Sequence, residues 1–220
     1  MKKHPRIAIL ASGKGSNFEA IASAIEKDKL NAEIMAVISD CETAPVLRKA
    51  DHLGVPAHYV APPSIPDPLM KRRNHEKNIL AKLDGLAVDF LVLAGYMRMI
   101  TPELLKPFKS DRGYYRVVNI HPSLLPAFPG VGSYDQAFAY GCHWTGVTVH
   151  LVDEEMDHGP ICAQEAFSIK DCRSGDEVLS RGIEIEHRLY PETLDWVLQE
   201  RFQVIERSLD KQRRVCVRQS

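Results

Sequence analysis

The stretch "RIAILASGKGSNFEAIASAIEKDKL" (residues 6–30) decides the fold, because it combines an apolar run, a glycine-rich turn and a helical pattern. Residues 6–12 predict a strand buried on both faces, since a short continuous apolar run is typical of the interior of a parallel sheet. Apolar residues with helical spacing follow over 16–30. Ser16 and Glu19 form an S-x-x-E pattern, which predicts a capping box and a helix that begins just after Ser16.

The same alternation continues through the first 120 residues. Further strands are predicted at 32–40, 55–60, 88–96 and 114–120, and helices at 44–54, 69–86 and 101–108. Alternating strands and helices require right-handed crossovers between parallel strands. The sequence therefore predicts an α/β fold, a Rossmann-like, mostly parallel twisted sheet with helices on both faces.

The second half of the chain has a different pattern. Residues 144–153 alternate as an antiparallel or edge strand would, and 159–169 suit a hairpin partner. A helix is predicted at 133–141 and a long one at 176–200, where Pro191 removes one helix hydrogen bond. A strand is expected at "RFQVIE", and the basic tail "KQRRVCVRQS" is expected to be a solvated end. We expect one domain over 1–220, with antiparallel strands added in its C-terminal half.

Composition narrows the classes of function. The 220 residues are 45% hydrophobic and carry a formal net charge of -1, so bulk charge does not indicate a nucleic-acid or membrane surface. Five cysteines without a CxxC pair indicate reduced thiols and a cytoplasmic protein. No apolar run approaches the roughly 20 residues of a membrane span.

A glycine loop, "ASGKGSN" (11–17), joins the first strand to the first helix. Gly13 and Gly15 allow close approach of a ligand, and the helix N-terminus offers free N–H groups to an anion. Phe18 stands where a dinucleotide fingerprint has its third glycine, and no G-K-[ST] closes a Walker A loop. Two interpretations remain, a tight strand–helix turn and a site for a single phosphate.

Two polar residues end the strand in "VVNIHPSLLPAFPG" (117–130). Asn119 and His121 point to the same side of an extended chain, and the prolines that follow stiffen their support. Histidine supplies a proton that titrates near neutral pH, and the asparagine amide could hold a developing oxyanion. The alternative is a structural histidine at a strand end.

Two other segments carry candidate ligands. The acidic turn "VDEEMDHGP" (152–160) allows three interpretations: a solvated turn, a metal site, or a carboxylate turned inward. Its spacing matches no known calcium loop. An inward carboxylate beside His121 would raise the pKa of that histidine and keep it protonated as an acid. In "AGYMRMI" (94–100), Arg98 between two methionines suits a flat anionic ligand, or else caps the core.

Taken together, "SGKGSN", "NIHPSLLPAFPG" and "DEEMDHGPI" closely resemble the phosphoribosylglycinamide formyltransferase family, a branch of the formyltransferase superfamily. "LAGYMRMI" and "EHRLYP" fit the same family in order and spacing. The resemblance implies transfer of a formyl group from 10-formyltetrahydrofolate, as co-substrate, to the amine of glycinamide ribonucleotide in purine biosynthesis. It implies no metal, small-molecule partners only, and a monomer or homodimer.

The resemblance also implies roles for individual residues. The catalytic residues would be Asn119, His121 and Asp157, with Asp157 keeping His121 charged. The ribonucleotide and its phosphate would contact Gly15, Ser16, Asn17, Ile183, Glu184, Ile185 and Glu186. The folate would contact Arg72, Met97, Arg98, Met99, Ile100, Asn119, Asp153, Glu154, Glu155, Met156 and Asp157. The N-terminal half would bind the ribonucleotide, and the C-terminal half would bind folate and catalyse the reaction.

Several alternatives stay open. Lys71, Arg72 and Arg73 compete for one ligand-binding role, and a Glu186–His187 pair in a helix is by default exposed. A formyl-folate hydrolase is the nearest rival activity, although such enzymes usually carry an N-terminal regulatory domain and the first strand here starts by residue 6. A nucleotide-binding module without catalysis is a rival from another class. The family also implies a cis Leu125–Pro126 bond.

Overall fold

The computed structural model describes residues 4–209 and 212–219. The chain divides into two compact units, one that ends at Val118 and one that begins at Asn119. Strand β5 (Val117–His121) contains this boundary. Each unit has its own set of elements and is described separately.

The first unit contains the alternating strands and helices that the sequence predicts. Its elements are β1 (Arg6–Leu10), α1 (Ser16–Glu26), β2 (Glu33–Ser39), α2 (Pro45–His52), β3 (Ala57–Tyr59), α3 (Pro68–Leu83), β4 (Phe90–Leu93), α4 (Pro102–Leu105) and a 3-10 turn (Lys106–Phe108). Strand β1 pairs in parallel with β2 and β4, and β2 pairs in parallel with β3. Ile7 to Leu10 are fully buried, as expected for a central strand covered on both faces.

The second unit contains α5 (Ser133–Tyr140), β6 (Trp144–Leu151), β7 (Ile161–Ser168), α6 (Gly175–Val197), β8 (Phe202–Leu209) and β9 (Gln212–Gln219). Strands β6 and β7 form the predicted antiparallel hairpin, with an irregularity in register at Val149/His150. Helix α6 continues through Pro191. Strands β8 and β9 form a separate antiparallel pair.

The seven-stranded sheet has the order β3-β2-β1-β4-β5-β6-β7. Its strand order reverses between β1 and β4, and ligands of open α/β sheets bind beyond the carboxyl ends of strands at such a point. The predicted fold class, a mostly parallel α/β sheet with antiparallel strands added late, is confirmed. The Leu125–Pro126 bond is cis, which confirms that expectation.

The predicted capping box at the start of α1 is wrong. Gly15, with a φ of 75°, is the N-cap, Ser16 is the first helical residue, and no side chain caps the helix. A Cβ atom on Gly15 would lie 2.6 Å from Cγ2 of Val46, so the backbone here is pressed against α2. Glu19 does not cap the helix but forms an ion pair with Lys49, in which Oε2 lies 2.6 Å from Nζ.

Two further expectations for the second half need correction. Strand β6 lies inside the sheet rather than at its edge, so all its residues after Trp144 are buried, polar positions included. The alternating pattern indicated its antiparallel pairing correctly but not its burial. The basic tail, which we expected only as a solvated end, contains strand β9, because Gln212–Gln219 pairs along its length with β8. Lys211 and Ser220, the two ends of that tail, lie outside the described residues.

Candidate active site

Strand β5 delivers the first two candidate residues of the second unit. Asn119 is the one half-buried residue of this strand, and the other four, His121 included, are buried. Nε2 of His121 lies 2.9 Å from the carbonyl oxygen of Phe128 and 3.1 Å from Oγ of Ser133. Because a carbonyl oxygen only accepts, His121 donates through Nε2.

The acidic turn after β6 supplies a carboxylate on the other side of His121. Oδ2 of Asp157 lies 3.5 Å from Nδ1 of His121 and accepts a 2.7 Å hydrogen bond from the backbone N–H of Gly130. Asp157 has a φ of 52°, a left-handed conformation that is uncommon for residues other than glycine. Of the three interpretations of this turn, the inward carboxylate agrees with the structure at Asp157.

The rest of the turn is closed by local contacts. Nδ1 of His158 lies 2.8 Å from Oδ2 of Asp153, and Oδ1 of Asp153 accepts a hydrogen bond from the backbone N–H of Glu155. Glu154, Glu155 and Met156 are exposed. The turn is therefore solvated on one side while it holds Asp157 against His121 on the other.

A second histidine, which the sequence analysis did not single out, completes this cluster. His150 on β6 is 1% exposed, and its Nε2 lies 3.1 Å from Nδ2 of Asn119. Its Nδ1 lies 2.9 Å from the carbonyl oxygen of Leu151, and its Nε2 lies 3.9 Å from Oδ1 of Asp157. Burial lowers the pKa of His150, against smaller opposing effects of Leu151 and Asp157.

These contacts define the tautomer of His150 and the orientation of the Asn119 amide. The Leu151 carbonyl requires a proton on Nδ1, and the lowered pKa favours the neutral ring, so Nε2 carries a lone pair. That lone pair accepts a hydrogen bond from the Asn119 amide nitrogen. The only sequence signal for His150 is a histidine within an otherwise apolar strand, which more often indicates packing.

In the first unit, the glycine loop and the segment after β4 are tied together through Ser12. The backbone N–H of Met97 donates to Oγ of Ser12 at 2.9 Å, and the N–H of Ser12 donates to the carbonyl of Gly95 at 3.0 Å. Within the predicted phosphate loop Gly15 and Asn17 are buried and Ser16 is half-buried. Ser12 thus connects the predicted phosphate loop to Met97–Ile100, the segment predicted to bind the folate.

In the segment Met97–Ile100 the two methionine side chains are exposed, whereas the guanidinium of Arg98 is paired with a carboxylate. Met97 is 64% and Met99 48% exposed. Arg98 donates through Nε to Oδ2 of Asp40 at 2.6 Å, so this predicted ligand residue is already in an ion pair. On α3, Arg72 is half-buried, as is Lys71, while Arg73 is exposed, and their competition for one role stays open.

Helix α6 buries one of its predicted ligand residues. Glu186 is 9% exposed and its Oε1 accepts a 2.9 Å hydrogen bond from the hydroxyl of Tyr134 on α5, so the expectation of an exposed Glu186–His187 pair is wrong. A Cβ atom on Gly182 would lie 2.1 Å from that hydroxyl, so only glycine leaves room for Tyr134. Ile183 and Ile185 are half-buried, and Glu184 is exposed.

Comparison with known proteins identifies the class. A sequence profile described as Formyl transferase matches residues 5–194, and the chain belongs to this family. The phosphoribosylglycinamide formyltransferase of Bacillus subtilis (strain 168) is 36% identical over 193 residues, 88% of this chain and 94% of that protein. The resemblance seen in the motifs is thereby confirmed.

Solved structures agree. The crystal structure of phosphoribosylglycinamide formyltransferase from Bacillus halodurans superimposes with a TM-score of 0.81 at 40% identity, covering 89% of this chain and 96% of that one. A formyltetrahydrofolate deformylase from Pseudomonas syringae pv. tomato matches with a TM-score of 0.79 at 26% identity, covering 98% of this chain and 67% of that one.

The described part of the chain has neither a candidate metal site nor a helix that could span a membrane. Among the side chains that the structure describes, those of residues 4–205 and 216–219, no group of three or more His, Cys, Asp or Glu could hold a metal ion. Across the same ranges, the helices are too short or too polar to cross a membrane.

Proposed function

We propose that this chain transfers the formyl group of 10-formyltetrahydrofolate to the amine of glycinamide ribonucleotide, a step of de novo purine biosynthesis. Family membership and the relatives' names support this activity. The observation that carries the chemistry is the arrangement of Asn119 and His121 with Asp157 and His150 around one strand end. Ser133 lies 3.1 Å from Nε2 of His121, but its hydroxyl and Nε2 both donate to the Phe128 carbonyl, so the histidine is not placed as a base for this serine. This arrangement suits direct attack by the substrate amine.

The first chemical step is attack of the amine on the formyl carbon, which converts the carbonyl oxygen to an oxyanion. The Asn119 amide has two N–H groups, and His150 accepts from one of them. The second N–H is the donor we assign to the oxyanion. A fixed donor of this type contributes roughly 100- to 1,000-fold in rate, because its dipole needs no reorganisation during the reaction.

His121 and Asp157 form the proposed acid pair. One ring nitrogen of His121 faces the Phe128 carbonyl and the other faces the Asp157 carboxylate, and the doubly protonated ring satisfies both acceptors. Because His121 is buried with Nε2 already engaged, contact with the reacting atoms requires Nε2 to exchange the Phe128 carbonyl for the substrate. Ser133, which donates to the same carbonyl at 2.9 Å, is placed to keep that carbonyl satisfied after the exchange.

The proton balance closes without an added reagent. The attacking amine loses one proton as the new C–N bond forms, and N10 of the folate gains one proton as its bond to the formyl carbon breaks. His121, or a water beside it, delivers a proton to N10, and Asp157 stabilises the positive charge on His121 before delivery. The neutral donor that results takes up the proton that the amine loses, so His121 ends the cycle protonated. The products are the formylated ribonucleotide and tetrahydrofolate.

The binding roles follow the resemblance and the exposure of each segment. We assign the phosphate to Gly15, Ser16 and Asn17 at the N-terminus of α1, where the helix dipole favours an anion. We assign the ribonucleotide to Glu186 with Ile183, Glu184 and Ile185. The folate is assigned to Arg72, to Met97–Ile100 and to the turn Asp153–Asp157. We propose that residues 1–220 form one cytoplasmic enzyme domain, which acts as a monomer or as a homodimer.

The alternative is hydrolysis of the same formyl-folate by water. The structural similarity to the Pseudomonas syringae protein supports this alternative, because that protein has the same fold and is named a formyltetrahydrofolate deformylase. In that reaction the cluster would polarise the same carbonyl, but free formate would be the product. The two activities differ only in the nucleophile.

One assay separates the two reactions. The purified chain is incubated with 10-formyltetrahydrofolate, with and without glycinamide ribonucleotide, while tetrahydrofolate and formate are measured. Tetrahydrofolate formation that requires the ribonucleotide, with no formate, is the expected result. Equal tetrahydrofolate formation without the ribonucleotide, together with formate, would establish the hydrolase instead. No turnover under either condition would contradict both.

A further inference from the structure

Helix α3 holds both ends of the exposed segment Met97–Ile100 through two adjacent buried side chains. Nε2 of His75 lies 3.0 Å from the hydroxyl of Tyr96, just before the segment. Glu76, the next residue of α3, binds Thr101, just after the segment. Both side chains are 3% exposed. A single helical turn therefore fixes the two ends of a segment whose two methionine side chains are exposed.

The contacts of Glu76 use both of its carboxylate oxygens. Oε1 accepts from the backbone N–H of Thr101 at 2.7 Å, and Oε2 accepts from the Thr101 hydroxyl and from the N–H of Leu104 at 3.2 Å. These N–H groups lie at the start of α4, whose N-cap is Thr101. Oγ1 of Thr101 accepts from the N–H of Glu103, and the N–H of Leu104 is shared between Glu76 and the Thr101 carbonyl. Glu76 thus caps α4 from another element and fixes where the preceding chain ends.

Burying the carboxyl group of Glu76 costs free energy of desolvation, which an apolar side chain at this position would not cost. Burial raises the pKa of Glu76, while its hydrogen bonds from Thr101 and Leu104 act in the opposite direction. An apolar side chain of the same size would fill the space without desolvating a carboxyl group, but it could accept no hydrogen bond. The groups that need an acceptor all lie immediately after Met97–Ile100.

We propose that Glu76 is a positioning residue for binding of the formyl donor, because it holds the exit of Met97–Ile100 in the conformation that binds the ligand. The inference rests on the proposed function, in which this segment contacts the folate. Ser12 accepts from the backbone N–H of Met97 and supports the segment's other end. With both ends fixed, the segment loses little conformational freedom on binding, so less of the interaction is offset by ordering.

The test compares Glu76→Gln with a matched carboxylate-to-amide change, Asp89→Asn. Asp89 also accepts a backbone N–H, from Arg6 at 2.8 Å, but it lies at the opposite, amino end of β1 and β4. Glu76→Gln is expected to raise the KM for 10-formyltetrahydrofolate about tenfold, the effect of one hydrogen bond of ordinary strength. It is expected to leave kcat at saturating donor and the KM for the ribonucleotide unchanged. Asp89→Asn should alter none of the three.

A second variant and a second readout keep the test decisive if Glu76→Gln folds poorly. Thr101→Val removes the hydroxyl that donates to Glu76 and that accepts from the N–H of Glu103, and Thr101→Ser retains both contacts. Binding of folic acid, an unreactive folate, is measured by calorimetry for each. Weaker binding in Thr101→Val with normal binding in Thr101→Ser supports the proposal. Unchanged folate binding in both Glu76→Gln and Thr101→Val overturns it, as does equal weakening in Asp89→Asn. Failure of the wild-type chain to form formylated ribonucleotide would instead contradict the proposed function.

Discussion

The amide nitrogen of Asn119 donates a hydrogen bond of 3.1 Å to Nε2 of His150, whose pKa is lowered by burial and whose other ring nitrogen, Nδ1, donates to the Leu151 carbonyl. If the amide were rotated by half a turn, its oxygen would face the lone pair of Nε2. His150 therefore decides which atom of Asn119 is presented beside His121 and Asp157.

Removing the acceptor of His150 should lower turnover. His150→Leu leaves the Asn119 amide without a partner, and we expect kcat to fall about tenfold to 100-fold, which corresponds to the roughly 1–3 kcal/mol of a lost buried hydrogen bond. Substrate KM values should change little. His150→Gln retains an oxygen that can accept from Asn119 and should recover part of the rate in steady-state assays. An equal fall in kcat in both variants would show that the hydrogen-bond acceptor for Asn119 is not what turnover requires of His150.

The lowered pKa of His150 predicts a pH-dependent stability. Below its ordinary value of 6.5, the unfolded chain binds a proton at this residue that the folded chain resists. Its contribution is therefore complete above pH 6.5 and is lost as pH falls from there towards the lower folded pKa. His75, whose pKa burial also lowers, acts in the same direction. Urea unfolding between about pH 7 and pH 5 should show a shallower pH dependence in His150→Leu than in the wild type, and an unchanged slope would contradict the prediction.

The acid pair should be required for turnover but not for folding. We expect His121→Ala and Asp157→Asn each to lower kcat by about 100-fold or more, because each removes part of the proposed proton donor. Circular dichroism should show a folded protein in both cases. Asp157→Asn is the sharper variant, since it keeps the acceptor for the Gly130 N–H while removing the charge beside His121. Near wild-type turnover in Asp157→Asn at neutral pH would refute the role of that charge.

Two glycines of the loop 11–17 should respond differently to alanine. Gly15→Ala places a side chain in a left-handed conformation, at about 1–2 kcal/mol, and also forces Cβ against Val46, so we expect a loss of several kcal/mol in the free energy of unfolding. Gly13 has no atom within 4 Å of its Cβ position, and Gly13→Ala should leave the free energy of unfolding nearly unchanged. Equal denaturation midpoints for the two variants would contradict this.

The hydroxyl of Tyr134 should influence the ribonucleotide rather than the folate. Tyr134→Phe removes the hydrogen bond to Glu186 and should raise the KM for the ribonucleotide about tenfold to 100-fold, in line with roughly 1.5–3 kcal/mol for a bond to a charged group. The KM for the formyl donor should stay constant and serves as the internal control. Gly182→Ala, which forces Cβ against the same hydroxyl, should act in the same direction and also destabilise the fold.

Local patterns predicted most of the architecture, and the errors occurred where a distant contact decided the outcome. The apolar runs of β1, β2 and β4 and their alternation with helices identified the parallel sheet. The S-x-x-E pattern failed because Gly15, pressed against Val46, provides the helix N-cap. The tail 212–219 has a charged composition, yet backbone pairing with β8 makes it a strand.

By itself, the sequence determined the fold class, the position of the glycine loop and the placement of Asn119 and His121 at the end of a strand. These follow from periodicity and from residues close together in the chain. Only the tertiary structure decided that His150 orients Asn119 across 31 positions, that Glu186 is buried against Tyr134, and that Glu76 caps α4 from α3. Each of these depends on a buried polar group finding its partner on another element, and no local pattern specifies which partner that is.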